Sequence, residues 1–234
     1  MQRRQIVLDT ETTGIDPRQG HRIIEIGCVE LINRRFTGNN YHVYVNPDRI
    51  VEQEAIDVHG ITNEFLADKP RYSEISQQFF DYINGAELVI HNAAFDIGFM
   101  DHEFKMLDRS FTGTGDYCEI LDTLAMARKK HPGQRVTLDA LCKKYGINNS
   151  HRELHGALLD AEILADVYLL MSGGQININL ASNANGEDVG FGLRRIPADR
   201  QKLNVIYATA DELAKHEERL DLVEKKGGSV RWRN

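Results

Sequence analysis

Asp9 and Glu11 close the apolar run Ile6-Val7-Leu8 and lie two residues apart. In a strand, residues i and i+2 share a face, so the two carboxylates project together. Two like charges that close repel unless a cation sits between them. As a lone pair they would be ordinary solvated acids. Here they lead into Thr12-Thr13-Gly14, and glycine there permits close backbone approach to a ligand. Asp96 follows the strand-like Leu88-Val89-Ile90 through His91-Asn92-Ala93-Ala94-Phe95. By itself it would be a helix N-terminal acid favoured by the dipole. Asp160 lies in the apolar stretch His155-Gly156-Ala157-Leu158-Leu159-Asp160. A bare carboxylate among such neighbours is costly, which favours a cation beside it. His155 precedes it by about one turn, a position suited to base chemistry. Carboxylate oxygens with one histidine set apart suit Mg²⁺ or Mn²⁺ rather than zinc. Two such ions a few Å apart form the clamp used in phosphodiester cleavage.

Several elements must position these groups. Gln5–Asp9, Ile23–Ile32 and Tyr41–Val45 read as strands, the last two joined through a Gly/Asn-rich hairpin connection at 33–40. Glu87–His91 reads as a fourth. Helices are expected over Ser73–Ile83, with Ser73 as cap, and over Phe95–Leu107, with Ile97, Met100, Phe104 and Leu107 on one stripe. Further helices are expected over Leu121–Arg128 and over Leu138–Tyr145, the latter capped by Thr137 and ended by Gly146. The last of this part, Gly156–Met171, is apolar nearly all round and should be well buried. Three strands in meander order followed by strand–helix alternation imply an α/β fold, a mixed central sheet flanked by helices.

With 234 residues, the chain has room for one domain of normal size and a smaller piece. We divide it into a domain at 1–172, a linker at 173–192 and a C-terminal segment at 193–234. The composition changes at Ser172: Ser172–Gly192 holds five Gly and four Asn, as flexible linkers do. Beyond it, Leu203–Ala208 reads as a strand and Thr209–Lys226 as a helix, with Thr209 and Glu212 at capping-box spacing. That piece is too small to hold a core of its own. Cys28, Cys118 and Cys142 are isolated, which excludes a zinc ribbon or disulfide scaffold and fits the reducing cytoplasm. The residues at the N-terminus are not expected to be a secretory signal, and there is no apolar run of bilayer length. Residues 1–172 carry 18 basic and 26 acidic side chains. A broad basic footprint for nucleic acid is thus missing, and bound cations would have to meet any phosphate.

Leu8-Asp9-Thr10-Glu11-Thr12-Thr13-Gly14, His91-Asn92-Ala93-Ala94-Phe95-Asp96 and His155-Gly156-Ala157-Leu158-Leu159-Asp160 resemble, in order and spacing, the three motifs of the DEDD 3′–5′ exonucleases. The histidine in the third is similar to the DEDDh subgroup. The resemblance covers residues 5–170 and implies a ribonuclease H-like fold. It implies that Asp9 bridges two metals, that Glu11 and Asp160 hold the hydrolytic one, and that Asp96 holds the other, partly through water. His155 would take the proton from the attacking water, with release of nucleoside 5′-monophosphates. Glu54 and His59 match positions that touch the terminal nucleotide, together with Asp9, Glu11 and Asp160. From the residues alone, Glu54 and His59 are ordinary loop residues, and Asp122 and the remaining histidines are structural or solvated.

Beyond residue 170 the chain resembles proofreading members of the family that belong to bacterial replicative polymerases. That resemblance implies docking on a polymerase alpha subunit through 193–234, and a small theta-like subunit as a further partner. Gln175-Ile176-Asn177-Ile178-Asn179-Leu180 resembles the short peptide with which bacterial proteins bind the sliding clamp, with Gln175, Ile178 and Leu180 as anchors. The substrate implied is a single-stranded or frayed DNA 3′ end. Two other readings are an exonuclease for RNA ends or oligoribonucleotides, and a non-catalytic adaptor on a nuclease fold.

Overall fold

The first apolar run becomes the centre of a sheet. β1 (Arg4–Thr12) pairs antiparallel with β2 (Ile23–Ile32) and parallel with β5 (Glu87–Ile90). Ile6, Val7 and Leu8 are wholly buried, as a central strand covered on both faces requires. This computed structural model describes residues 3–149, 154–173 and 207–227. The chain divides into two units, Met1–Ile178 and Asn179–Asn234.

β6 (Glu119–Asp122) adds in parallel to β5, and β3 (Arg35–Phe36) and β4 (Tyr41–Tyr44) both pair with β2. The sheet is therefore mixed, in the order β3-β2-β1-β5-β6. The β2–β3 link is a two-residue turn at Asn33 and Arg34, both with positive φ, as tight hairpins prefer.

Helices cover both faces. Ile6, Leu8, Leu88 and Ile90 meet Phe79 of α3 (Tyr72–Ile83) and Phe99 and Met100 of α4 (Ala93–Leu107) in one cluster. On the opposite face Val7, Val29 and Val89 meet Ala161, Leu164 and Tyr168 of α7 (Ala157–Ser172). α5 (Thr123–Lys130) and α6 (Leu138–Tyr145) pack outside α7 through Ala127, Leu141, Cys142, Ile163 and Val167. Two short helices missed in the sequence, α1 (Gln53–His59) and α2 (Asn63–Leu66), close one end. Seven and four residues are too few to show a period.

Several expectations are corrected. Leu121 belongs to β6, and the helix starts at Thr123, where the Asp122 carboxylate accepts from the amides of Leu124 (2.8 Å) and Ala125 (3.3 Å). No turn residue separates strand from helix, so the local pattern ran them together. α3 starts one residue before Ser73, and the Arg71 amide donates to Glu74 (2.7 Å). α4 starts at Ala93 and is rotated from the expected stripe. Phe99, Met100, Glu103 and Phe104 are buried, and Leu107 is exposed. Glu103 turns inward because Arg22 donates to both its oxygens (2.7 Å each) and the Ile23 amide to one (3.2 Å).

α6 has its expected limits and both caps. The three cysteines are buried and unbridged. Among the described residues no helix is long and apolar enough to cross a membrane. In the second unit, α8 (Ala210–Gly227) opens on the expected reciprocal cap. The Thr209 amide donates to Glu212 (2.8 Å), and the Glu212 amide to Thr209 Oγ1 (3.3 Å). Tyr207 and Ala208 are not in a strand, and Leu203–Ile206 lie outside the described residues.

Candidate active site

Asp9 and Glu11 are half-buried on β1 and line one cleft of about 760 Å³. The cleft also receives Asp96, His155 and Asp160, so the five residues singled out for chemistry meet at one place.

Asp96 arrives from the β5–α4 corner. Asn92 turns the chain with a left-handed backbone (φ 71°), and its amide donates to Asp122 (3.2 Å). Asp96 then falls in the first turn of α4 and is held against β1 by the Thr10 amide (3.1 Å) and Thr10 Oγ1 (2.7 Å). Thr10, between the two strand carboxylates, thus fixes the third.

Burial pushes the Asp96 carboxyl up to about 7, against the lowering pull of the Thr10 bonds. In metal-free protein the folded state keeps a proton there that an ordinary aspartate releases near pH 4. Stability from this group is full below pH ~4 and is lost as pH rises toward about 7. Asp96→Asn is expected to flatten that slope and to raise the melting temperature above neutral pH, measured in chelator. An unchanged slope would mean that Asp96 is ionised throughout.

Asp160 and His155 depend on how α7 meets the sheet. Asp9 lies opposite Gly27, and Glu11 opposite Glu25. A Cβ on Gly27 would stand 2.2 Å from the Ala157 carbonyl carbon and 2.2 Å from the Leu158 nitrogen. Only glycine lets the helix start so close to β2. Glu25, itself buried, accepts from the Ala157 amide (3.0 Å) and from His42 Nε2 (2.7 Å). A carboxylate from the sheet thereby caps α7, which the dipole favours. One turn in, Asp160 is buried, and its Oδ2 lies 3.2 Å from His155 Nδ1. The His155 amide donates to the Val58 carbonyl (3.2 Å) of α1.

Thr10, Glu25, Gly27 and His42 were missed in the sequence. A glutamate and a glycine inside the apolar run Ile23–Val29 were the available signal. Gly14 is corrected too. Its Cβ would stand 2.3 Å from the His21 ring, so the close approach accommodates a side chain of the fold.

Glu54 and His59 lie on α1, not in a loop, and neither lines the cleft. His59 is buried, and its Nδ1 accepts from the Ile61 amide (3.0 Å). Burial, then the neighbouring His155, lower its pKa. Asp122 is structural, as expected. His91 lines the cleft and bonds Thr123 Oγ1 (3.0 Å). Gln175, Ile178 and Leu180 lie outside the described residues.

The donor set suits a hard cation. Glu11, His155 and Asp160 can each offer one ligand atom, all within 4.8 Å of one another. Asp9 and Asp96 add carboxylates in the same cleft.

Fold and site define a nuclease of the ribonuclease H-like class with a carboxylate centre. The family described as RNase_T, Exonuclease, matches residues 6–168. The DNA polymerase III subunit epsilon of Escherichia coli K12 is 57% identical, over 98% of this chain and 97% of that protein. Among solved structures, Exonuclease X in complex with 5′ overhanging duplex DNA is 28% identical, with a TM-score of 0.57, over 71% of this chain and 90% of that one. The nuclease domain of 3′hExo, a DEDDh family member, bound to rAMP, shares the fold at 17% identity and TM-score 0.59, over 73% of this chain and 92% of that one. The chain belongs to this exonuclease family and, within it, to the DNA polymerase III epsilon subunits.

Proposed function

We propose that the chain removes mispaired 3′-terminal nucleotides from DNA as the proofreading exonuclease of a replicative polymerase. The observation that carries this is the convergence of Asp9, Glu11, Asp96, Asp160 and His155 in one open cleft. Asp9, Glu11, Asp96 and Asp160 would hold two divalent cations, Mg²⁺ or Mn²⁺, with Asp9 shared, Glu11 and Asp160 on one ion and Asp96 on the other. Such ions supply Lewis acidity to the attacking water and the leaving oxygen. The Asp160 carboxylate beside His155 Nδ1 keeps the proton on that nitrogen, which leaves Nε2 to take a proton from water. Thr10 and Glu25 hold Asp96 and the start of α7 in place while this happens. Glu54 and His59 would bound the terminal nucleotide from α1, whose Val58 carbonyl already holds His155. The product is a nucleoside 5′-monophosphate.

A 3′ end must leave its duplex to enter such a cleft, and a mismatch lowers that cost by a few kcal/mol. Release of the terminal nucleotide from mispaired primer–template, paired primer–template and short RNA tests the reading. The mispaired end is expected to be cut fastest, with chelator stopping all release and Mg²⁺ or Mn²⁺ restoring it. Preference for the RNA would replace proofreading by RNA-end trimming.

The expected boundaries, 1–172, 173–192 and 193–234, are kept as part of this proposal. The C-terminal segment docks on the polymerase III alpha subunit. Its helix α8 exposes Leu213, Leu222 and Val223, apolar surface that a partner would cover. Residues 175–180 bind the sliding clamp, and a theta-like subunit is a further partner. Tethering raises the local concentration of the exonuclease at the primer end. A chain ending at Ser172 is expected to keep its activity and to lose co-elution with the alpha subunit in gel filtration. Undiminished co-elution would place the docking surface on the first unit.

A further inference from the structure

The segment that leads into and forms α6 brings three charged side chains to the cleft, Arg135, Asp139 and Lys143, and the mechanism above uses none of them. Arg135 and Lys143 line the cleft from the segment that forms α6 and are exposed there. Among the described residues neither has an ion-pair or hydrogen-bond partner. Their basic neighbours do: Lys144 Nζ donates to Gln134 Oε1 (2.7 Å), and Lys130 Nζ to the Met171 carbonyl. Asp139 stands four residues before Lys143, the spacing of a helical ion pair. Its carboxylate instead accepts from Asn149 Nδ2 (2.9 Å). The N-terminus of α6 opens on the same cleft, with Thr137, Leu138 and Ala140 lining it. Thr137 Oγ1 takes up the Ala140 amide (3.3 Å) at the positive end of the helix dipole. Two cations without a partner among the described residues, lining the same cleft as the carboxylates in a chain of net negative charge, mark a place for an anion.

The substrate supplies that anion. A strand whose last phosphodiester lies at the carboxylates carries further phosphodiesters on its 5′ side. Cations held by the carboxylates would neutralise only the first. We infer that Arg135, Lys143 and the first turn of α6 form a subsite for the phosphodiester backbone of the single strand, 5′ to the bond that is cut. The inference rests on the nuclease reading. α6 packs on the helix that carries Asp160, with Leu141 and Cys142 against Ile163 and Val167. The subsite therefore stays in fixed register with Asp160. Its consequence is a preference for polymeric substrate that the carboxylate centre alone would not create.

The test compares two substrates in Arg135→Gln/Lys143→Gln protein. One is a single-stranded oligodeoxynucleotide. The other is the p-nitrophenyl ester of thymidine 5′-monophosphate, which has no phosphodiester on the 5′ side. The oligonucleotide KM is expected to rise about tenfold or more relative to any change in the ester KM, the loss of charge-assisted contacts. The salt dependence of oligonucleotide binding is expected to flatten by roughly 0.7 in log–log slope for each cation removed. Lys143→Glu is expected to extend the rise. Equal losses on both substrates, or an unchanged salt slope, would overturn the subsite and leave the nuclease reading standing. Failure of the wild type to hydrolyse either substrate would overturn the nuclease reading, and the subsite with it.

Discussion

Asp9→Ala protein is expected to release no nucleotide above background with Mg²⁺ or Mn²⁺ saturating, and to remain folded. In the proposed centre Asp9 would be the ligand common to both ions. Loss of even an outer-shell partner of a metal costs ~10–100-fold, so loss of a shared ligand is expected to exceed ~10³-fold. The side chain lines the cleft and takes no part in the clusters on either face of the sheet. Alanine there removes no core contact and keeps β1 paired through its backbone. It also removes one negative charge from a crowded acidic centre, so the melting temperature in chelator is expected to stay level or to rise. Nucleotide release and thermal denaturation on the same preparation check both halves. Substantial release by folded Asp9→Ala protein would remove Asp9 from the centre.

Gly27→Ala is expected to damage stability and activity together, although it adds one methyl group. That carbon would meet backbone atoms of Ala157 and Leu158 at 2.2 Å, and no side-chain rotation relieves the contact. The start of α7 must move. Forcing an extra methyl group into a packed site costs ~1–3 kcal/mol, and here the yielding part is a helix that fills one face of the sheet. Glu25 would lose its hold on the Ala157 amide, and His155 and Asp160 would shift from Asp9 and Glu11. A displacement of about 1 Å in a catalytic group costs on the order of 10²-fold. Gly98→Ala in α4 is the counterpart. Nothing lies within 4 Å of its added carbon. Alanine is the better helix former, so a gain of ~0.5–1 kcal/mol is expected. Denaturant midpoints of the two variants are expected to move in opposite directions, and only Gly27→Ala is expected to lower the rate. A Gly27→Ala protein with wild-type midpoint and rate would show that the α7 start is not set by this contact.

What the sequence determined by itself lies within a few residues along the chain. The two-residue period puts Asp9 and Glu11 on one face, and an apolar helix carries Asp160 a turn after His155. Thr137 and Gly146 bound α6, and Thr209 with Glu212 starts α8, because caps are local hydrogen bonds. The motif order carried the family, and the strand meander followed by strand–helix alternation carried the mixed sheet.

Only the tertiary structure decided how those pieces meet. Asp96 reaches Thr10 across 86 positions, and Glu25 reaches the Ala157 amide across 132. Glu25 inside an apolar run hinted at a buried partner, but no residue beside Thr10 or Glu25 names the distant one. β6 exists because β5 offers it a parallel edge, so Leu121 is a strand residue despite its helical surroundings. α4 rotates because Arg22 makes it favourable to bury Glu103. Gly27 is needed because a helix from far along the chain lands on it, and Arg135 and Lys143 line the cleft of the carboxylates because α6 packs on α7. Period and capping are set by neighbours in the chain. Pairing, burial of charge and the lining of the cleft are set by neighbours in space, which come together only when the whole core has formed.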